Sequence, residues 1–566
     1  MKNQTIIKPL LGIMLISSLL VGCKDNFLDI VPTDRVSDAS ILSDSTLFEA
    51  YVINRYLGIR LTNKEGDGNL PGFGRGFEYA MWSSLTDESI YNNDDNTWFI
   101  QQGQLSPENT GIAGTFWGRS YRSIRECNYA LANIGELEMS QSGKDLLIAE
   151  LKFIRAFRYH DLIRNYGDVV LMGDRVTELG EDFTDPSFFE KTDKEAAIAY
   201  VLEELDAAAT NLPVSNNGNW QEGRATRGAA LALKARLLLY GASPLFTDGE
   251  RDVQKWQRAA DAARAVMDLQ QYSLYQGGYG ELFLTPQSNV EIIFARYYNI
   301  NSRHTALEIA NGPNGYDGWG GNVPLQNLVD DYEMMDGTRF DWENDNHSDQ
   351  PYKNRDPRFY ETILYNGAPY RDREVETFVP GGRDSQDGPS NWNTTKSGYY
   401  LKKFINEELP IRNPWEVAGT QNWIYFRYAE ILLNYAEAQN EAVGPDASVY
   451  DAVNAIRGRT GVEMPPLPAG LTQDQMRERI RHERRIELAF EEHRYYDVRR
   501  WMIADEVENT PAYGITITKD EDGRFNYERK VALEGKQFLE RHYWLPIPRS
   551  EILASDNQLP QNPGYN

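Results

Sequence analysis

The sequence predicts a mostly α-helical protein, built of tetratricopeptide-like helix pairs that form one scaffold, with long loops and a few short strands. Three observations carry that prediction. Apolar residues recur at helical spacing in several long runs that end near glycine or proline. Two sets of these runs share a degenerate repeat of leucine, alanine and tyrosine. Between them lie stretches rich in Gly, Asn and Asp, and only two segments read as strands.

The first strong helix is expected over about 145–166, where Leu147, Leu151, Ile154 and Phe157 form one stripe, Phe153 broadens it, and Gly167 supplies the stop. A second is expected over about 226–242. Its Ala229, Ala232 and Ala235 allow a neighbouring helix to approach closely, and Pro244 ends it. A third, near 256–269, sets Ala259, Ala263 and Val266 on one face. A fourth spans about 426–442 with a partner at 448–457, and a fifth runs from 472 to about 490, started by the capping box of Thr472 and Gln475. Leu231, Ala235 and Leu238 fit first-helix positions of a tetratricopeptide unit, and Leu432, Tyr435 and Ala436 repeat part of that pattern. Stacked pairs of this kind bury a shared core and expose a scaffold face. The helix-pair scaffold is expected at about 115–170, 190–270 and 420–505. Residues 291–298 and 514–518 are the strand candidates. The stretches of about 60–115 and 300–420 are loop chemistry, and loops that long inside a compact body are commonly functional.

The N-terminus sets the location. Lys2 and Lys8 precede an apolar run from Leu10 to Val21, too short to span a bilayer and suited to the core of a signal peptide. It ends in Leu20-Val21-Gly22-Cys23, the form of a bacterial lipoprotein signal, with cleavage after Gly22 and lipidation of Cys23. More than one acyl chain gives a stable anchor. Residues 1–22 are therefore expected to be the signal peptide, and residues 23–566 one membrane-tethered domain.

Composition narrows the function. The chain is 41% hydrophobic and 25% charged, as globular proteins are. Its net charge is −26, and loss of Lys2 and Lys8 with the signal takes it to −28, which argues against nucleic acid or polyphosphate partners. Beyond Cys23 the one remaining cysteine is Cys127, within a helical pattern and read as a small buried apolar residue. Catalytic patterns are missing. Gly72 to Gly76 lacks the frame of a nucleotide loop and reads as a turn. His482-Glu483 opens like a zinc motif, but Ile486 stands where the second ligand belongs. Asp341, Glu343 and Asp345 alternate as in a calcium loop without its glycine or terminal glutamate. No enzyme activity and no cofactor are expected, calcium at that loop being the one metal considered.

Several blocks together are specific. They are Cys23 to Asp29 after the lipobox, Ala149 to Leu162, Arg224 to Arg236, Ala242 to Phe246, Arg427 to Ala438, Glu483 to Phe490, Tyr496 to Trp501, Leu545 to Arg549, and Gln561 to Gly564. In order and extent they resemble the SusD/RagB family of outer-membrane nutrient-binding lipoproteins. The resemblance implies a surface-exposed outer-membrane lipoprotein that delivers oligosaccharide to a SusC-like TonB-dependent barrel transporter. Asp25 after the lipidated cysteine suits surface export. A peptide-capturing lid of the same transporter type and a structural adaptor for surface enzymes are the alternatives. Arg484, Arg485, Asp497 and Arg499 in these blocks are expected to make ion pairs between helices.

A sugar presents C–H faces and hydroxyls, so a receptor needs aromatic platforms and planar polar groups. On the ligand-side loops, Trp98 among Asn96 and its polar neighbours is one candidate platform. By loop position in the family, Tyr297, Tyr298 and Trp319 are others, and one of the two tyrosines is expected to point inward. Arg75, Asp87 and Glu88 are the polar candidates. Trp82 and Trp117 adjoin helical patterns and are expected in the core.

Overall fold

The computed structural model describes residues 44–565 except 58–76, 95, 178–180, 182–183, 217–219, 286, 300–303, 305 and 412–418. The signal segment, Cys23 and Arg75 lie outside the described residues.

The architecture is mostly helical and tetratricopeptide-like. Helix α1 (Ser45–Asn54) leans on α3. Then α2 (Phe116–Asn133), α3 (Gln141–Tyr166), α4 (Lys194–Asn211), α5 (Arg227–Ala242), α6 (Val253–Asp268) and α7 (Tyr428–Val443) each pack against the next in sequence. Helix α7 also packs on α8 (Ala447–Arg457) and α9 (Gln473–Glu487), and the short α10 (Arg494–Arg500) follows. Ala229, Ala232 and Ala235 are fully buried, as close helix approach requires.

Local chemistry sets the ends. The Ser140 hydroxyl accepts the Gly143 N–H to start α3, and Gly167 stops it at φ +72°. Asp193 caps α4, Thr226 caps α5, Asp252 caps α6 and Asp446 caps α8. Thr472 and Gln475 form the capping box on α9. Several ends differ from the sequence reading, and α3 and α6 start earlier than expected, at Gln141 and Val253. The helix expected from 426 starts at Tyr428, because Trp423–Arg427 is a strand. Helix α9 stops at Glu487 rather than 490, and Phe490 and Glu492 beyond it take left-handed φ of +63° and +64°.

One long insertion separates α6 from α7. Near its two ends, strand β2 (Ile292–Arg296) pairs antiparallel with β4 (Trp423–Arg427), joining Ile292 to Arg427 and Arg296 to Trp423. This closes the excursion at its base, so the loops between 297 and 422 leave from and return to one place. Strand β1 (Ser89–Tyr91) pairs with β3 (Asn322–Pro324), tying the first loop region to the second. A hairpin of β5 (Ala512–Lys519) and β6 (Phe525–Leu533) covers the segment expected at 514–518.

Buried apolar side chains from Phe48 to Leu559 form a continuous cluster. A network of buried charges runs through it. Arg427 meets Glu291 at 2.8 Å, Glu487 at 2.7 Å and Glu491 at 2.6 Å, while Arg358 and Arg457 hold Glu483. Arg484 and Arg500 share Asp497 at 2.7 and 2.8 Å. Desolvated charges persist only when paired in this way. Arg485 pairs with Asp87 and Asp331, as expected of an interhelical arginine. Among the described residues Arg499 does not make the expected ion pair. Its guanidinium lies 3.5 Å from the Tyr495 ring centroid and donates to the Tyr495 and His542 carbonyls. Cys127 is buried, and burial pushes its thiol up to about 11. No helix among the described residues is long and apolar enough to cross a membrane.

Candidate ligand-binding site

Three loops converge beside the scaffold, and asparagines hold them together. Asn322, at 1% exposure, is the hub. Its side-chain amide donates to the Tyr79 carbonyl at 2.7 Å and to Asn311 Oδ1 at 2.9 Å, and its Oδ1 accepts from the Met81 N–H and the Ser84 hydroxyl. Asn92 does the same for the third loop. Its Nδ2 donates to the Thr394 carbonyl at 3.0 Å, and its Oδ1 accepts the Lys396 N–H at 2.9 Å. Asn314 Nδ2 donates to the Pro389 carbonyl at 2.8 Å and its Oδ1 accepts the Tyr400 hydroxyl at 2.6 Å. Irregular backbone cannot satisfy its own polar groups, and these planar amides bond two strangers at once.

Close backbone approach completes the junction. A Cβ on Gly320, which has φ +54°, would lie 2.8 Å from the Asn393 carbonyl oxygen. Trp319 and Trp392 each sit one residue from that contact. Asn93 Nδ2 donates to Asn393 Oδ1 at 3.3 Å, bringing in the loop that carries Trp98.

The rim so formed is aromatic and partly exposed. The Trp319 ring is half-buried and lies 5.8 Å from Tyr79, tilted by 46°. Tyr79 is 42% exposed and Trp392 is 71% exposed. Trp98 is half-buried at the start of a single helical turn, with its indole N–H donated to the Tyr91 carbonyl at 2.7 Å. Asn96 beside it is exposed, in a left-handed turn at φ +61°. Isolated exposed apolar groups are ordinary, whereas several aromatics on joined loops form a surface suited to a flat ligand.

The other sequence candidates fall elsewhere. Tyr298 is buried, 4.8 Å from His304 and 6.5 Å from Phe77 between ring centroids, with Arg296 over its face. It is the inward-pointing member of its pair. Tyr297 is half-buried, with its ring against Gly223, and is not brought to the rim; burial pushes its hydroxyl up to about 12. Asp87 and Glu88 are core residues and not rim polar groups. Asp87 takes bonds from Arg485 and Arg494, whose charges hold it well below the usual carboxylate range despite burial. Glu88 is 1% exposed, and burial pushes it up to about 8. Both were misplaced because polar residues in a loop pattern read as exposed, whereas here Asp87 answers arginines some 400 positions later in the chain and Glu88 accepts the Phe490 N–H. Trp82 and Trp117 are buried, as expected.

The sequence reading missed Trp392 and Tyr79. Trp392 stands between Asn391 and Asn393, the same polar flanking that singled out Trp98, so that signal was present. Tyr79 follows Phe77 and precedes a buried run, and nothing local marks it as exposed. At the loop weighed for calcium, Asp341 accepts the Glu343 N–H and Asn344 caps the turn starting at Asp345. Among the described residues no group of three or more His, Cys, Asp or Glu converges to hold a metal.

Comparison with known proteins agrees with this architecture. The family model of the SusD family matches residues 287–565. A SusD-like protein P2 from Formosa agariphila is 25% identical over 481 residues, covering 81% of this chain and 82% of its own. A SusD-like protein from Bacteroides ovatus is 24% identical across 98% of this chain and 97% of its own. A solved SusD-like protein from Bacteroides fragilis superposes with TM-score 0.76 at 28% identity, over 94% of this chain and all of that one. A SusD-like carbohydrate binding protein from the same species gives 0.77 at 27%, over 92% of this chain and all of its own. With the model match over residues 287–565, the ordered sequence blocks and the helix array in agreement, the chain is similar to the SusD/RagB family.

Proposed function

We propose that this chain is a non-catalytic, surface-exposed lipoprotein of the outer membrane that binds oligosaccharide on the aromatic rim and passes it to a SusC-like TonB-dependent transporter. Cleavage after Gly22 and lipidation of Cys23 tether residues 23–566, which act as one domain. The observation that carries the reading is the ring contact of Tyr79 with Trp319, on loops that asparagine amides lock to those bearing Trp392 and Trp98. Each platform contributes a modest stacking energy, so several in one place suit an extended chain of sugars. A relative at 27% identity described as carbohydrate binding supports it. Micromolar to millimolar affinity, about −8 to −4 kcal/mol, suits a receptor that must release its ligand onward.

The test is calorimetric titration with a panel of neutral and acidic oligosaccharides of several lengths. Saturable heat that grows with chain length, and weakens about tenfold or more in the Trp319→Ala, Trp392→Ala double variant, is the expected result. Equal titrations for the variant and the unmodified protein would remove the rim from the account. Binding of peptides and no sugar would replace the glycan with a peptide.

A further inference from the structure

The glycan-binding reading leaves the class of sugar open, and two lysines at the rim bear on it. Lys396 belongs to the third loop, and its backbone is fixed on both sides. Its N–H is donated to Asn92, and the next residue, Ser397, accepts the Ile515 N–H at 2.7 Å. From there its ammonium lies 5.3 Å from the centroid of the Trp98 ring. The hairpin brings the second lysine. Lys530 on β6 stands opposite Gly514 on β5, and a Cβ on Gly514 would come within 2.6 Å of Ser397. Docking of bare glycine on Ser397 therefore carries Lys530 toward Lys396.

These cations differ from the others near the rim. Arg373 is held by Asp384 at 2.6 Å, Arg383 by Glu376 at 3.3 Å, and Arg529 by Asp330. Among the described residues neither Lys396 nor Lys530 has a carboxylate in ion-pair range. Asp94, in the Trp98 loop, turns its carboxylate onto the N–H groups of Thr97 and Trp98. Lys530 is half-buried, and both burial and the charge of Lys396 lower its affinity for a proton. In a chain of net charge −26, two adjacent cations without a counter-ion, set beside an aromatic platform, form a local field of the opposite sign.

We infer that the rim takes an acidic oligosaccharide, with a sugar ring on Trp98 and its anionic group, a uronate carboxylate or a sulfate ester, between Lys396 and Lys530. This rests on the glycan-binding reading above. The carboxylate and the sulfate ester share the chemistry, and separate ligands tell them apart.

The experiment is a titration of the protein with three oligosaccharides of equal length: a neutral one, its uronate counterpart and its sulfated counterpart, each at low and at high salt. One anionic ligand is expected to bind about tenfold tighter than the neutral one at low salt, with the advantage shrinking as salt screens the pair. The Lys396→Gln, Lys530→Gln double variant is expected to bring that ligand down to the affinity of the neutral one. Neutral sugar bound as tightly as both anionic ones overturns this inference and leaves the glycan reading standing. An acidic preference that the double variant retains also overturns it. No binding of any of the three overturns both.

Discussion

The helix array and the aromatic rim are held by opposite means. In the array, regular helices satisfy their own backbones, and the side chains are free to pack and to pair charges, as Arg427 does with Glu291, Glu487 and Glu491. In the rim almost no backbone repeats, so side-chain amides of Asn92, Asn314 and Asn322 spend their bonds on main-chain groups of other loops. Breaking the first kind of contact threatens the fold. Breaking the second moves a surface. Under the proposed function, stability and recognition are carried by different residues, and the two can be perturbed apart.

The largest separation is expected from Arg427→Met. It takes a shared partner from three buried carboxylates, leaving Arg459, Arg358 and Lys403 to answer them, and breaking buried pairs of this kind costs about 3–5 kcal/mol. Urea denaturation is expected to show that loss; a change below about 1 kcal/mol would mean the network is not what braces the helices.

Glu88 gives a pH-dependent effect of similar kind. Its folded-state value near 8 lies above the ordinary 4.5, so the folded protein holds a proton that the unfolded chain releases. Its contribution is present in full below about pH 4.5 and is lost as pH rises toward 8. Relative to Glu88→Gln, the unmodified protein is expected to lose about 2–4 kcal/mol between pH 5 and pH 8. Parallel stability curves for the two proteins would show that Glu88 is ionised throughout. The carboxylate of Glu487 works the other way. Neighbouring arginines hold it down to about 2, so its share of stability is lost as pH falls from 4.5 toward 2.

Asn322→Ala lies between the two regions. Four bonds disappear and buried partners are left unmet, at a cost of about 2–3 kcal/mol. Amide exchange is expected to rise at residues 77–84 and 306–322 before it rises in α5 or α7. Uniform acceleration would place Asn322 with the scaffold.

The smallest effect on stability, and a clear one on binding, belongs to Trp392→Ala. At 71% exposure its removal is expected to change stability by less than about 0.5 kcal/mol and to weaken oligosaccharide binding several-fold. A fall in melting temperature with unchanged affinity would reverse its role.

The same contrast explains what was legible in the sequence. The array was, because helices are written in local code: a stripe from Leu147 to Phe157, Gly167 at the stop, and Thr472 with Gln475 at a start. Helix α4 carries a comparable signal in Asp193 and the alanine-rich run after it. Where the reading failed, the cause was non-local. Strand β4 exists because β2 pairs with it from about 130 residues earlier, and a five-residue segment with four apolar residues does not announce a partner. Glu88 and Asp87 are buried because arginines of the distant 485–494 segment and a desolvated site await them. Trp98 was singled out by its polar flanks and Trp319 by its loop position in the family, and Trp392 has flanks like those of Trp98. What no flank encodes is that Gly320 meets Asn393, the contact that joins the loops carrying Trp319 and Trp392.

The central claim is that ligand meets the rim and not the helices. Hydrogen exchange with and without a saturating oligosaccharide measures this directly across the whole chain. Protection is expected in peptides covering 77–98, 306–322 and 385–398, with α3, α5 and α7 unchanged. Protection centred on the helix array, with those three loops exchanging as before, would contradict the account.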